Sequence, residues 1–525
     1  MSHVPFELSR RQVLAGFGAG GVLLLAGCSS AVADKKGATS KSSKPRSGGV
    51  LKVGIGQDLI PGNIFTNSNA GITTTVGLVF DRLINYPNDQ VVPKPSLATK
   101  WELAADGTSL ALDLRDDVTY HSGRPFTSED VAFAIETYAD PKWNGQLKST
   151  AGAITKVDTS DPHRAVLHFA HPLGNIFDLL DTIPIVDHET IDQLATGEKI
   201  VGTGPFALKS WTPNTELVYE KNAKYWQPGR PYLDGVRATI VPQPTSLTSQ
   251  LRSGQIDYAY GISNRDIETL VNSGGYEAIR LEGAETQVYV GTNVTVKPLD
   301  DVRTRQAIAY ALDRDRVISE VYRGVGYPIN LPWPKYSPAY DADANTTYSL
   351  QIEKAKDLVK QVGPIPKLPL TYGTGNPLIE ATAQIVQANL KEIGIEVELD
   401  PIDQAQFVKT LIGAQFKGLW VTLHSWAQYT PSTLTVSAYP FNAAKNASKY
   451  QSADYLQDAE GAWKIAEGTS ADAKAAYGKV SQDLLDALFL IEIGIVLPQY
   501  VVSDQVRDVS YTKRSEVDLT NAYLA

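Results

Sequence analysis

Residues 101–131, WELAADGTSLALDLRDDVTYHSGRPFTSEDV, read as strand, turn, strand, turn and helix start. Trp101 to Leu103 is strand-like, Asp106 and Gly107 supply a turn, and Leu110, Leu112 and Leu114 then alternate with Ala111 and Asp113, the period of a half-buried strand. Ser122 and Gly123 form a second turn before Pro125, Phe126 and Thr127. Thr127 or Ser128 then caps a helix that begins near Glu129, because a side-chain oxygen at that place satisfies an orphan backbone N–H.

Working outward, residues 49–55 fit a first strand, residues 57–69 a polar loop that includes Pro61, Gly62, Asn63 and Asn69, and residues 73–83 a helix. Downstream, residues 351–362 and 379–393 carry apolar residues at helical spacing and end in Gly363 and Gly394, the residue type that closes helices. Ile395, Val397 and Leu399 alternate after the second. Asp300 and Asp301 stand where a helix N-terminus favours acids, and Arg314 and Arg316 stand toward its end. Strand and helix patterns in alternation imply α/β lobes. With 43% apolar residues over 525 positions, the chain exceeds one core and predicts two or three domains.

Four blocks carry a family resemblance. The first is the order Leu97, Ala98, Trp101, Glu102, Asp106, Gly107, Leu114, Arg115, Val118, Tyr120, His121, Gly123, Pro125, Phe126, Thr127, Glu129, Asp130, Val131. The second runs Gly202, Thr203, Gly204, Pro205, Phe206 to Trp211, Pro213, Asn222, Tyr225 and Trp226, and the third is Leu251, Ser253, Gly254, Ile256, Asp257. The fourth is Pro298, Leu299, Asp301, Val302, Arg303, Arg305, Gln306, Ala307, Asp313 and Arg314. In this order they resemble the extracytoplasmic solute-binding proteins of family 5, the peptide, nickel and opine class of ABC importers.

The resemblance implies an α/β, two-lobed periplasmic-binding-protein type II fold (large cluster C type) with an extra inserted domain. It implies domain Ia from residues 48–86, 203–293 and 492–525, domain Ib from 87–202 and domain II from 294–491, with the run 493–500 returning to complete the first sheet. Gly and Pro at 202–205 suit a tight crossing between domains. The function implied is capture of a peptide or peptide-like solute between two lobes and delivery to a permease driven by an ATPase on other chains. The expected molecule is a monomer with no cofactor, and hinge closure over the solute is its expected motion. An oligosaccharide, opine or metal chelate is the alternative ligand, and a tethered secreted hydrolase the alternative class.

Resemblance places the stretch Trp420 to Pro431, with His424, Trp426, Gln428 and Tyr429, at the mouth of the second lobe. Aromatic rings with polar tips suit such a pocket. Asn63, Ser68, Tyr260, Tyr372, Asn376 and Gln404 fall at matching loop positions. One departure matters: peptide-binding members commonly place an Asp before the loop tyrosine, where it pairs with the α-ammonium, whereas Gln428 stands here. In nickel-binding members a histidine follows the loop's proline, and here Ser432 follows Pro431.

The N-terminus reads as an export signal over residues 1–27. Arg10 and Arg11 form a twin-arginine pair before an apolar run, residues 13–26, too short to span a bilayer comfortably. Leu25, Ala26, Gly27 and Cys28 resemble a lipobox, which implies a diacylglycerol on Cys28 and an extracytoplasmic protein held to the membrane by lipid. Gly16, Gly18 and Gly21 match a dinucleotide fingerprint in spacing, but no strand precedes them. Residues 28–47 read as a lipidated flexible tether, about +4, and removing this and the +1 of residues 1–27 from the formal −10 leaves roughly −15 on the body. An acidic body argues against nucleic acid.

Cys28 is the only cysteine, so the folded part has no disulfide and no thiolate chemistry. His163, His168 and His171 cluster in sequence, yet the first two face opposite sides of a strand, and no metal site is expected there. Adjacent acids such as Asp300 with Asp301 or Asp313 with Asp315 do not face each other as a glycosidase pair does. Neither a Gly-x-Ser-x-Gly elbow nor a phosphate loop is present.

Overall fold

The computed structural model describes residues 45–66, 69–425 and 429–525. The export signal, Cys28 and most of the tether lie outside the described residues, as do Ser68, Trp426 and Gln428. Residues 45–525 form one compact unit. Among the described residues no helix is long and apolar enough to cross a membrane, and no group of three or more potential metal ligands comes together.

Two large sheets dominate the unit. Seven strands run in the order Tyr276–Arg280, Gln499–Ser503, Tyr258–Tyr260, Val50–Ile55, Gly235–Ile240, Glu216–Lys221 and Phe206–Thr212. Val50–Ile55 lies between two parallel neighbours, and from Leu51 onward it is largely buried because helices cover both faces of such a strand. The second sheet has six strands: Gly326–Pro328, Leu490–Val496, Thr286–Thr292, Leu419–His424, Leu368–Gly373 and Val397–Ile402. A third sheet orders Ala98–Leu103, Ser109–Leu114, Arg164–Phe169 and Ile154–Asp161, so the strand pair read from residues 101–114 is the start of it.

The boundaries expected at 293 and 492 fall inside the second sheet. Thr286–Thr292 pairs with both Leu419–His424 and Leu490–Val496, so the chain passes between the large sheets at 281–285 and again at 497–498. Residues 490–496 are all buried, Glu492 among them, and form one continuous strand that ends before Pro498, which has no N–H to donate to a ladder. The Leu281 N–H donates to the Pro498 carbonyl at 2.9 Å and ties the two passages together. Between them Gly283 has φ 87°, and a Cβ there would collide with the Asn88 carbonyl, so only glycine fits. Gly202 likewise abuts the Val79 carbonyl, which accounts for its place in a tight passage.

Local chemistry follows the sequence closely in the helices. The Asp130 carboxylate accepts from the Thr127 backbone N–H at 2.9 Å and starts the helix Ser128–Ala139. Asp301 caps Val302–Ala311 by accepting from Arg303 N–H at 2.9 Å. Gly363 and Gly394 follow Ile352–Val362 and Pro377–Glu392 with positive φ. The first helix differs from expectation: it is Ala70–Val79, begun by Asn69, whose side chain accepts from Ile72 N–H. Residues 80–83 leave it for an extended turn. Arg314 lies beyond the end of that helix, where it opens the short turn Arg314–Arg316, and is buried.

Candidate functional site

Where the two large sheets meet at the paired passages, a cavity of about 210 Å³ opens. Gln57, Asn69, Thr73 and Tyr260 line it from the first body, Ala284 and Pro498 from the passages, and Thr286 and Ser425 from the second sheet, with Ser515 closing one side. The geometry places each. Gln57 follows the first strand by two residues, Asn69 and Thr73 stand at the start of a helix, and Tyr260 ends the strand Tyr258–Tyr260. The Tyr260 ring stands edge-on to Tyr500, centroids 5.1 Å apart at 87°, a contact that orients the ring. Thr286 opens its strand, and Ser425 follows directly on Leu419–His424.

Two buried carboxylates bind the segment that begins at Tyr429, four residues after the Ser425 of the cavity lining. Asp178, fully buried on the helix Ile176–Thr182, accepts from Tyr86 Oη (2.9 Å), Thr430 N–H (3.0 Å), Thr430 Oγ1 (2.5 Å) and Thr433 Oγ1 (2.6 Å). Asp181 accepts from Tyr86 N–H (2.7 Å) and Tyr429 Oη (3.1 Å). Asn175 on the same side donates to Thr433 Oγ1 and Thr150 Oγ1, both 2.9 Å, and accepts from Trp463 Nε1 at 2.7 Å. Together these fasten residues 175–181 to residues 429–433 and 463. We call this the clasp.

Burial, the largest influence, raises both carboxyls above the ordinary range, Asp181 to about 6 despite the nearby Arg82 charge and the donors from Tyr86 and Tyr429. A carboxyl raised in the folded chain binds its proton more readily there than unfolded. Its contribution to stability is therefore full below about pH 4 and lost as pH climbs through 6. Asp181→Asn should flatten that decline. Urea unfolding of both proteins across this range measures it, and parallel slopes for the two would contradict the assignment.

The residues named from sequence separate in space. Tyr260 lines the cavity, and Tyr429 is fully buried in the clasp. Trp420 is fully buried in the core of the second sheet, stacked on Phe416 with centroids 4.3 Å apart. It faces Gly291, whose missing side chain leaves room for the indole. Asn63 closes a short 3-10 turn, Pro61–Asn63. Tyr372 is buried near the end of Leu368–Gly373, Asn376 caps Pro377–Glu392, and the Gln404 amide packs against Gly373. None of these four lines the cavity. Burial lowers the His424 imidazole to about 3, so it is uncharged at neutral pH.

Gln57, Asn69, Thr73, Thr286, Ser425 and Ser515 were not legible as site residues, since small polar side chains in loops and at element ends look alike in sequence. Asp178 and Asp181 carried a faint signal: acids on a short helix otherwise rich in Ile, Phe and Leu.

Comparison with known proteins places this geometry. The profile of bacterial extracellular solute-binding proteins, family 5 Middle, matches residues 92–448, more than half of the chain. The oligopeptide-binding protein AppA of Bacillus subtilis is 25% identical over 417 residues, 74% of this chain and 76% of its own length. A probable di/tripeptide-binding protein of Pseudomonas aeruginosa is 28% identical over 386 residues, 67% of this chain and 72% of its own. Among solved structures, AgaA of A. tumefaciens R10, in complex with agropinic acid, superposes with TM-score 0.78 at 23% identity, covering 91% of this chain and 99% of that one. The fold is the two-lobed α/β architecture of those proteins, and the chain belongs to the bacterial extracellular solute-binding proteins of family 5.

Proposed function

We propose that this chain is a lipid-anchored receptor that takes up a peptide or peptide-like solute between its two large sheets and hands it to an ABC permease driven by an ATPase on other chains. The observation that carries the reading is the cavity at the paired passages, lined from both sheets. Two passages side by side make a hinge, and a ligand lined from both bodies favours their closure. Relatives named as oligopeptide- and di/tripeptide-binding proteins support the peptide class. Trp426 and Gln428 follow Ser425 in the chain, and we assign them to the solute on sequence grounds. Purifying the protein from its producing cells and identifying the carried solute by mass spectrometry tests the reading. A peptide-like molecule is expected, and a consistent carried ligand of another class would overturn the peptide assignment.

The anchor is part of the same proposal. Cys28 is the sole cysteine and follows Leu25, Ala26 and Gly27, after an Arg10–Arg11 export signal of the twin-arginine kind. Cys28→Ser should abolish lipid modification and release the protein from membranes. Intact mass of the mature wild-type N-terminus checks this, and a mature chain without acyl mass refutes it.

A further inference from the structure

We propose that the part of the solute lodged in the cavity carries no formal charge: the site takes a capped or otherwise neutral amide, hydroxyl or carbonyl compound rather than a free peptide terminus. The inference rests on the cavity being the solute site. Among the described residues its polar side chains, which include Gln57, Asn69, Thr73, Tyr260, Thr286 and Ser425, are all neutral, and all can meet uncharged donors and acceptors.

The charged residues next to them in sequence are committed elsewhere. Asp58, after Gln57, accepts from Trp211 Nε1 at 3.0 Å and Asn214 N–H at 2.7 Å. Glu285, between Ala284 and Thr286, accepts from Tyr336 Oη at 2.6 Å. Arg514, before Ser515, donates to Glu516 at 3.0 Å. Lys513 donates to the Asn88 carbonyl at 2.7 Å and lies 4.0 Å from the Tyr336 ring centroid. Asp178 and Asp181 are engaged by hydroxyl and backbone donors of the clasp.

An ammonium or carboxylate entering here would shed water and gain no opposite charge among these side chains, an unfavourable exchange. A neutral amide loses less hydration and recovers its hydrogen bonds. The Tyr260 face adds a surface for an apolar side chain or a sugar ring.

The test uses one dipeptide library in three forms: free, N-acetylated, and N-acetylated with a C-terminal amide. Each is offered to the purified protein, and the retained fraction is read by mass spectrometry of the intact complex. The doubly capped form should be retained at least about tenfold better than the free form. Equal or better retention of free dipeptides would overturn this inference while leaving the receptor reading intact, whereas retention of none would count against both. Gln57→Glu, a near-isosteric change at an exposed position, should move the preference toward ligands with a free amine, and Ser425→Asp should do so from the opposite wall. Folded variants, judged by unchanged thermal unfolding, with an unchanged preference would also overturn it.

Discussion

Asp178→Ala should cost the folded protein about 3 kcal/mol and weaken solute binding about tenfold or more. One carboxylate here serves four donors from two distant parts of the chain: Tyr86, and Thr430 and Thr433. Truncation leaves three hydroxyls and a backbone N–H in a place closed to water. Each unsatisfied buried group costs about 1–3 kcal/mol, and the hydroxyls recover part of that by rotating to other acceptors. The loss falls on the arrangement in which residues 175–181 meet residues 429–433. Since residues 429–433 follow the cavity's Ser425 by only a few residues, loosening them should lower affinity as well as stability. Asn at 178 keeps an acceptor and the shape, so it should lose less on both counts. Urea unfolding and titration of a retained ligand measure the two effects. Alanine at wild-type stability and affinity would show that the clasp contributes nothing.

Arg314→Ala should be at least as damaging to folding, by about 3–5 kcal/mol, without touching the cavity. The Arg314 guanidinium is buried and donates to the carbonyls of Ile329 (3.1 Å), Glu492 (2.8 Å), Ala309 (3.0 Å) and Tyr348 (2.7 Å). It gathers a helix end, two loops and the strand Leu490–Val496 around one planar fork, a geometry a lysine does not reproduce. Burial pulls its pKa down to about 10, and the buried Glu492, itself raised to about 8, is the nearby acid. Alanine would leave four carbonyls without these donors. Chemical denaturation of Arg314→Ala and Arg314→Lys checks the claim, and a loss below about 1 kcal/mol in the alanine variant would contradict it.

How much of this was legible depends on the range over which each feature is decided. A cap at Thr127 or Ser128, and the closing Gly363 and Gly394, are local devices, and they predict helices close to those observed. Trp420 was misjudged as a pocket ring because what decides its place is Gly291 on the neighbouring strand, far away in sequence. Asp178 carries only a faint signal in sequence, since its partners Thr430 and Thr433 stand some 250 residues later. The passages between sheets were placed late at one point and early at the other. Residues 286–292 and 490–496 are largely buried strands whichever sheet they join, and only pairing assigns them. The cavity side chains come from seven separate segments, and no spacing in the chain brings them together.

The central claim is that one solute is held, unaltered, between the two large sheets. Its most direct measurement is a titration of the purified protein with the solute recovered from it, followed by mass spectrometry of the intact complex and of the released ligand. The account predicts saturation at one solute per chain and release of a chemically unchanged molecule, with Gln57→Glu and Asp178→Ala both altering the affinity. Steady conversion of the solute to a product, or saturation unaffected by both variants, would contradict it.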